Sequence, residues 1–153
     1  ILGSGAGNSC YIIIAGAVMG GFGAVVGAAP AFSAISNALV NFPGPALIAA
    51  AIALMIIVGV SGSAPAGLGT GLPLFAGTFQ TMGINAAALH RVASFAATTL
   101  DSLPTNATFL MLTKLTGLTV RQTYKHVFVT TVINTTIGTL IVAILCTYFP
   151  GMV

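Results

Sequence analysis

Twice in this chain an apolar run of helical length stops short of a membrane crossing, each time in small polar residues. Ala46 to Val60 is continuously apolar, yet at 1.5 Å per residue it reaches only about 22 Å. A hydrocarbon core of roughly 30 Å needs about 20 such residues. The run ends in Ser61-Gly62-Ser63-Ala64-Pro65-Ala66-Gly67, and a second apolar arm follows from Leu72 to Met82. Ala86 to Leu100 repeats the pattern: it stops at Asp101-Ser102-Leu103-Pro104-Thr105-Asn106 and resumes over Ala107 to Thr116. Irregular backbone at membrane depth is tolerated only where protein buries it or it lines a wet cavity. Two short arms meeting at a polar tip therefore predict a re-entrant hairpin and a broken helix, the devices with which carriers build midplane sites.

Membrane depth itself follows from composition. Of the 153 residues 57% are hydrophobic and 3% charged, with one acid, four basic residues and two histidines. A soluble domain carries about 25% charged residues, so lipid must cover most of this molecule. The runs are continuous, not alternating, which disfavours a β-barrel. The expected class is an all-α polytopic membrane protein. The net charge of +3 comes from too few basic residues to read as a nucleic-acid surface. Lys114, Arg121 and Lys125 instead cluster around one turn that the positive-inside rule places in the cytoplasm. Cys10 and Cys146 lie in apolar runs without metal or disulfide spacing, and no nucleotide loop, zinc spacing or nucleophile elbow is present. Neither an enzyme nor a cofactor is expected.

The remaining spans follow from length. Cys10 to Ala29 makes a full crossing, with small-xxx-small pairs at Gly16/Gly20 and Gly23/Gly27 for close helix contact. Pro30 ends it. Ala31 to Val40 reads as a short interfacial helix, and Asn41 to Pro45 as a turn. Asn85 is placed to cap the helix that follows, and Gly117 to end the arm before it. Thr119 and Gln122 have the spacing of a capping box, opening a helix to about Phe149. One transmembrane domain over 1–153 results, with spans at 10–29 and 120–149 and two interrupted segments, 46–82 and 86–116, either of which can be the hairpin and the other the broken helix. Arg91 is a single vote for 86–116 as the hairpin. Because the chain begins at Ile1, it is expected to be the C-terminal part of a longer protein.

Asp101 is the only acid, and ionisable groups inside a membrane are functional-site hypotheses by default. It can take a coupling proton, ligate a cation, or organise its loop by accepting backbone N–H bonds. At the other tip, Ser63 is positioned as an N-cap with Pro65 in the first turn. The Ser61, Gly62 and Ser63 hydroxyls and N–H groups suit a carboxylate or polyol, as do Ser102, Thr105 and Asn106. His90, Ser94 and Thr98 lie near one stripe of a continuous helix, so His90 joins Asp101 as an ion-coupling candidate. Thr131, Asn134, Thr135 and Gly138 read as a helix-packing face.

Asn8-Ser9, Gly21 to Val26, Ser61 to Ala64, His90 to Ser94, Leu100 to Pro104, Asn106, Gly117 to Thr119 and Tyr124-Lys125 together resemble the C-terminal part of the gluconate permease family. The block from His90 to Asn106 is the most specific. The resemblance implies a carrier of the bacterial inner membrane that symports a small hydroxylated organic acid such as gluconate with protons. It also implies one half of an inverted-repeat, homodimeric transporter whose N-terminal half lies elsewhere, and it assigns 46–82 to the hairpin. Two departures stand out. Pro65-Ala66-Gly67 replaces the expected Ser-Gly-Gly, and Thr105 stands where the pattern carries a histidine. They leave another acid as substrate, and another cation such as sodium as coupling ion, in play. A passive channel and a non-transport membrane subunit are the rival readings.

Overall fold

The computed structural model describes Val25, residues 28–104, Asn106, Phe109, Leu112, Thr113 and residues 116–149, with side chains of 31 and 32 excepted. The expected first span, apart from Val25, Ala28 and Ala29, falls outside the described residues together with its glycine pairs, as do Thr105 and Lys114. Among those described, every regular element is helical: α1 Pro30–Val40, α2 Ala46–Ser61, α3 Ala64–Thr81, α4 Ala86–Thr99, α5 Val120–Val127, a π-helical stretch Phe128–Ile133 and α6 Asn134–Tyr148.

Local chemistry sets most of the boundaries. Pro30 occupies the first turn of α1, where its missing N–H costs nothing. Asn85 caps α4, its Oδ1 accepting from Ala87 N at 2.8 Å and Ala88 N at 3.3 Å. Gly62 and Gly117 hold φ of 64° and 68°, a conformation costly for residues with a Cβ. Gln122 Oε1 accepts the Thr119 N–H at 2.9 Å, giving α5 the reach-back half of its capping box. Asn85→Ala is expected to cost about 1 kcal/mol, read as a lower melting temperature of the detergent-solubilised protein; an unchanged melt would mean this cap adds nothing.

α2 and α3 form a tight antiparallel hairpin. A Cβ built on Gly67 would lie 2.5 Å from Val58 Cα, and one on Gly71 would lie 3.1 Å from a Leu54 methyl. The pairs 58/67 and 54/71 share one sum, as antiparallel register requires. Pro73 sits inside α3 on its exposed side. The core between the helices is built of small, branched and aromatic residues: Ala49, Ala50, Ala53 and Leu54 from α2, Phe75 and Phe79 from α3, Val92, Ala93 and Ala96 from α4, and Ala143 from α6. Alanine-rich faces let helix backbones approach closely.

Val120–Tyr148 is 29 residues long and contains an 18-residue window with a mean hydropathy of 2.0, long and apolar enough to cross a membrane. Only 17% of its apolar window is buried within the chain. The core helix of a soluble protein would be mostly enclosed, whereas Ile133, Ile137, Ile141, Ile144 and Tyr148 are exposed here. The packing face expected on this helix is present in part: Gly138 abuts the Phe95 ring, and Thr131 and Thr135 are half-buried, but Asn134 is exposed. The π-helical stretch gives no periodicity signal. It coincides with threonines that donate back to the helix, Thr130 to His126 O at 2.9 Å, Thr131 to Val127 O and Thr135 to Thr131 O, bonds that bend helices.

Candidate functional site

The two polar tips meet. α2 and α4 run side by side in the same direction, so the last turn of α2 lies beside the break after α4. Leu100 and Leu103 of the break close over Gly59; a Cβ there would touch Leu100 at 3.1 Å and Leu103 at 3.4 Å. That packing turns Asp101 toward the start of α3. Asp101 Oδ1 accepts the Ala64 N–H at 2.7 Å, across 37 residues of sequence. Asn106 completes the join. Its Nδ2 donates to Gly62 O at 3.0 Å and to Asp101 Oδ1 at 3.2 Å, while its Oδ1 accepts the Phe109 N–H at 3.0 Å.

This arrangement explains how a lone acid is tolerated in such a chain. The first N–H groups of a helix have no internal partner, and the helix dipole places partial positive charge among them. Ser63 sits at the N-cap of α3 but its side chain makes no cap bond. The expectation that Ser63 caps this helix through its side chain is thus corrected. Its φ of −158° and ψ of 126° set the backbone, and the cap comes from Asp101. A hydrogen bond to a charged acceptor contributes about 1.5–3 kcal/mol. Pro65, next in line, has no N–H to offer. The anion-binding start of α3 is thereby occupied by the chain's own carboxylate. Ser61 Oγ has acceptors within the tip, Val58 O at 2.9 Å and Ser63 O at 3.0 Å.

The depth of the cluster can be read against the long helix. Thr99, the last residue of α4, is buried and its Oγ1 lies 3.2 Å from Thr139 Oγ1 on α6. Thr139 stands about 14 Å along the axis from Tyr148 and about 18 Å from Val127 at 1.5 Å per residue. The break that starts at Leu100 is therefore level with the middle of the apolar stretch. On its far side Phe109 stacks edge-on against Tyr124, ring centroids 5.7 Å apart, and Tyr124 against Phe128 at 5.9 Å. The aromatic row ties the Asn106 side of the cluster to the start of the π-helical stretch.

Among the sequence-derived candidates, Ser61, Gly62, Ser63, Asp101 and Asn106 are brought into one cluster. Ser102 is half-buried in the same turn. His90 is not part of it. It lies in the second turn of α4, at the opposite end of that helix from Asp101, and it is exposed. There it lines a cavity of about 380 Å³ with Arg91, Ser94, Phe95, Val142 and Cys146 among others. Ser94 and Thr98 also face outward, their hydroxyls bonded to His90 O and Phe95 O at 2.8 Å each. What sequence reasoning missed is the partner of Asp101. A backbone N–H carries no side-chain signature, so no motif announces it. Among the described residues no group of His, Cys, Asp and Glu side chains is arranged to hold a metal ion.

Comparison with known proteins adds an independent observation. The chain is 32% identical over 128 residues to the uncharacterized transporter YxjC of Bacillus subtilis (strain 168), a match covering 81% of this chain and 27% of that protein. The chain thus spans about a quarter of the length of the curated relative it matches. No protein-family model matches, and no solved structure does. The similarity supports a transporter relationship, and the long apolar helix agrees with a membrane protein.

Proposed function

We propose that the chain is part of a secondary active carrier, one that moves a small hydroxylated organic-acid anion such as gluconate together with protons or another cation across the bacterial inner membrane. The observation that carries this reading is the joined polar cluster of Ser61–Ala64 and Asp101–Asn106, level with the middle of the apolar helix. Backbone breaks that converge at such a depth are how carriers form a substrate site without a polar surface. In this reading Ser61, Gly62, Ser63, Ser102, Thr105 and Asn106 contact the substrate, Asp101 is the ion-coupling group in the cluster, and His90, at the other end of α4, relays the ion toward it. The α2–α3 pair acts as the re-entrant hairpin and 86–116 as the broken helix. The opposing tips come from the remaining N-terminal part, and two copies assemble as a dimer. The resemblance to gluconate permeases and the similarity to a transporter both support it.

The test is uptake into proteoliposomes by the full-length protein, using labelled gluconate beside other small hydroxy acids and monocarboxylates. Accumulation above the external concentration, driven by an imposed proton or sodium gradient, is the expected result. Flux that only equilibrates would make the protein a pore. No flux of any acid under either gradient would remove transport of this substrate class.

A further inference from the structure

We infer that Asp101, besides the coupling role proposed above, is a positioning residue, and that Asp101 and Asn106 form a clasp that holds the α2–α3 hairpin tip shut against the break after α4. The inference rests on the carrier reading for its purpose, since a carrier must expose its site, but not for its geometry. A hairpin joined only at Gly62 and Ser63 has no intrinsic reason to keep its tip against a neighbouring loop. Here two bonds cross that gap. One is the 2.7 Å bond from Ala64 N–H to Asp101 Oδ1, and the other is the 3.0 Å bond from Asn106 Nδ2 to Gly62 O. The 3.2 Å bond between Asn106 and Asp101 couples the two, so they make and break together. Leu100 and Leu103 against Gly59 supply the apolar half of the contact. Ser63 makes no side-chain cap bond here, so the Ala64 N–H relies on Asp101 for its acceptor. Solvent access to the tip is thus governed by an acceptor on the opposite break. What the clasp needs at position 101 is an oxygen acceptor of this length; a carboxamide also provides one, and a methyl does not.

The experiment uses the full-length protein in a cysteine-free background with Ser63→Cys as reporter, a position whose side chain the clasp does not use. The readout is the rate of modification by a small water-soluble thiol reagent. Asp101→Ala is expected to speed labelling roughly tenfold or more, Asn106→Ala severalfold, and Asp101→Asn by no more than about twofold, since its Oδ1 still accepts. Equal acceleration by Asp101→Asn and Asp101→Ala would overturn the acceptor role. An unchanged rate in Asn106→Ala would overturn the paired clasp, and this arm decides even if Asp101→Ala fails to fold. Labelling is read without transport, so the two claims fail separately. Unaltered protection in an active carrier removes the clasp alone. A clasp that opens as expected in a protein that moves no acid removes the carrier reading alone.

Discussion

Gly67→Leu is expected to unfold the hairpin tip in the full-length protein, costing about 3 kcal/mol or more, whereas Gly69→Ala, two residues away, leaves stability unchanged or raises it. The contrast comes from what each new side chain meets. A Cβ at Gly67 lands 2.5 Å from both the Cα and a methyl of Val58 and 3.0 Å from Ser61 Oγ. The first of these is backbone and cannot rotate away, so α2 and α3 must separate. Separation near the tip carries Ala64 away from Asp101, and the loss of packing then exposes an uncapped helix start as well. At Gly69 nothing lies within 4 Å, and the better helix propensity of alanine is worth up to about 1 kcal/mol. Thermal melts in detergent read both variants. If Gly67→Leu melts with Gly69→Ala, the close approach of the two helices is not what holds the hairpin.

How far the sequence reveals this architecture depends on the range of the interaction concerned. Elements set by neighbours a few residues apart are legible. Asn85 before a polar-poor run, Gly117 after one, and Thr119 with Gln122 each announce a helix end, and each stands where its chemistry requires. The hairpin's glycines are visible as small residues, but only the structure shows that Gly67, not Gly69, meets Val58. The polar breaks are visible too, because composition makes any hydroxyl or carboxylate conspicuous. Their convergence is not. It depends on α2 and α4 running in the same direction, which places Gly59 under Leu100 and Leu103, and on a backbone N–H that every residue but proline possesses. The same limit hid the role of Ser63, a good N-cap by residue type whose place is taken from 37 residues away. His90 shows what a helical projection leaves out. Its projection onto the Asp101 stripe holds on a continuous helix, but rise separates the two by about 16 Å, and they end at opposite ends of α4. The π-helical stretch is a third case, since its threonines bond to their own helix in a way that composition alone leaves undecided.

Asn106→Asp is expected to be more damaging than Asn106→Ala at neutral pH, although aspartate is the closer match in shape. Asn106 is 8% exposed and, among the described residues of the cluster, is the one whose side chain both donates and accepts. Alanine removes all its bonds, and the loss of those to Gly62 O and the Phe109 N–H costs about 0.5–1.5 kcal/mol each. Aspartate still accepts from Phe109. It cannot donate to Gly62 O, however, and it sets a second carboxylate where Asn106 now approaches Asp101 Oδ1 to 3.2 Å. Two carboxylates at that separation cannot both stay ionised without a large penalty, so a total of roughly 3–5 kcal/mol is expected. The sign with pH follows. Protonating one of the pair removes the repulsion and restores an O–H that donates to the other, so the aspartate variant regains stability as pH falls and the alanine variant does not. Melting curves of both variants and the parent across acid to neutral pH should therefore cross, with aspartate below alanine at neutral pH and level with it or above it in acid. Parallel curves would mean that the side chains at 106 and 101 do not meet in the folded protein, and the joined cluster would have to be abandoned with them.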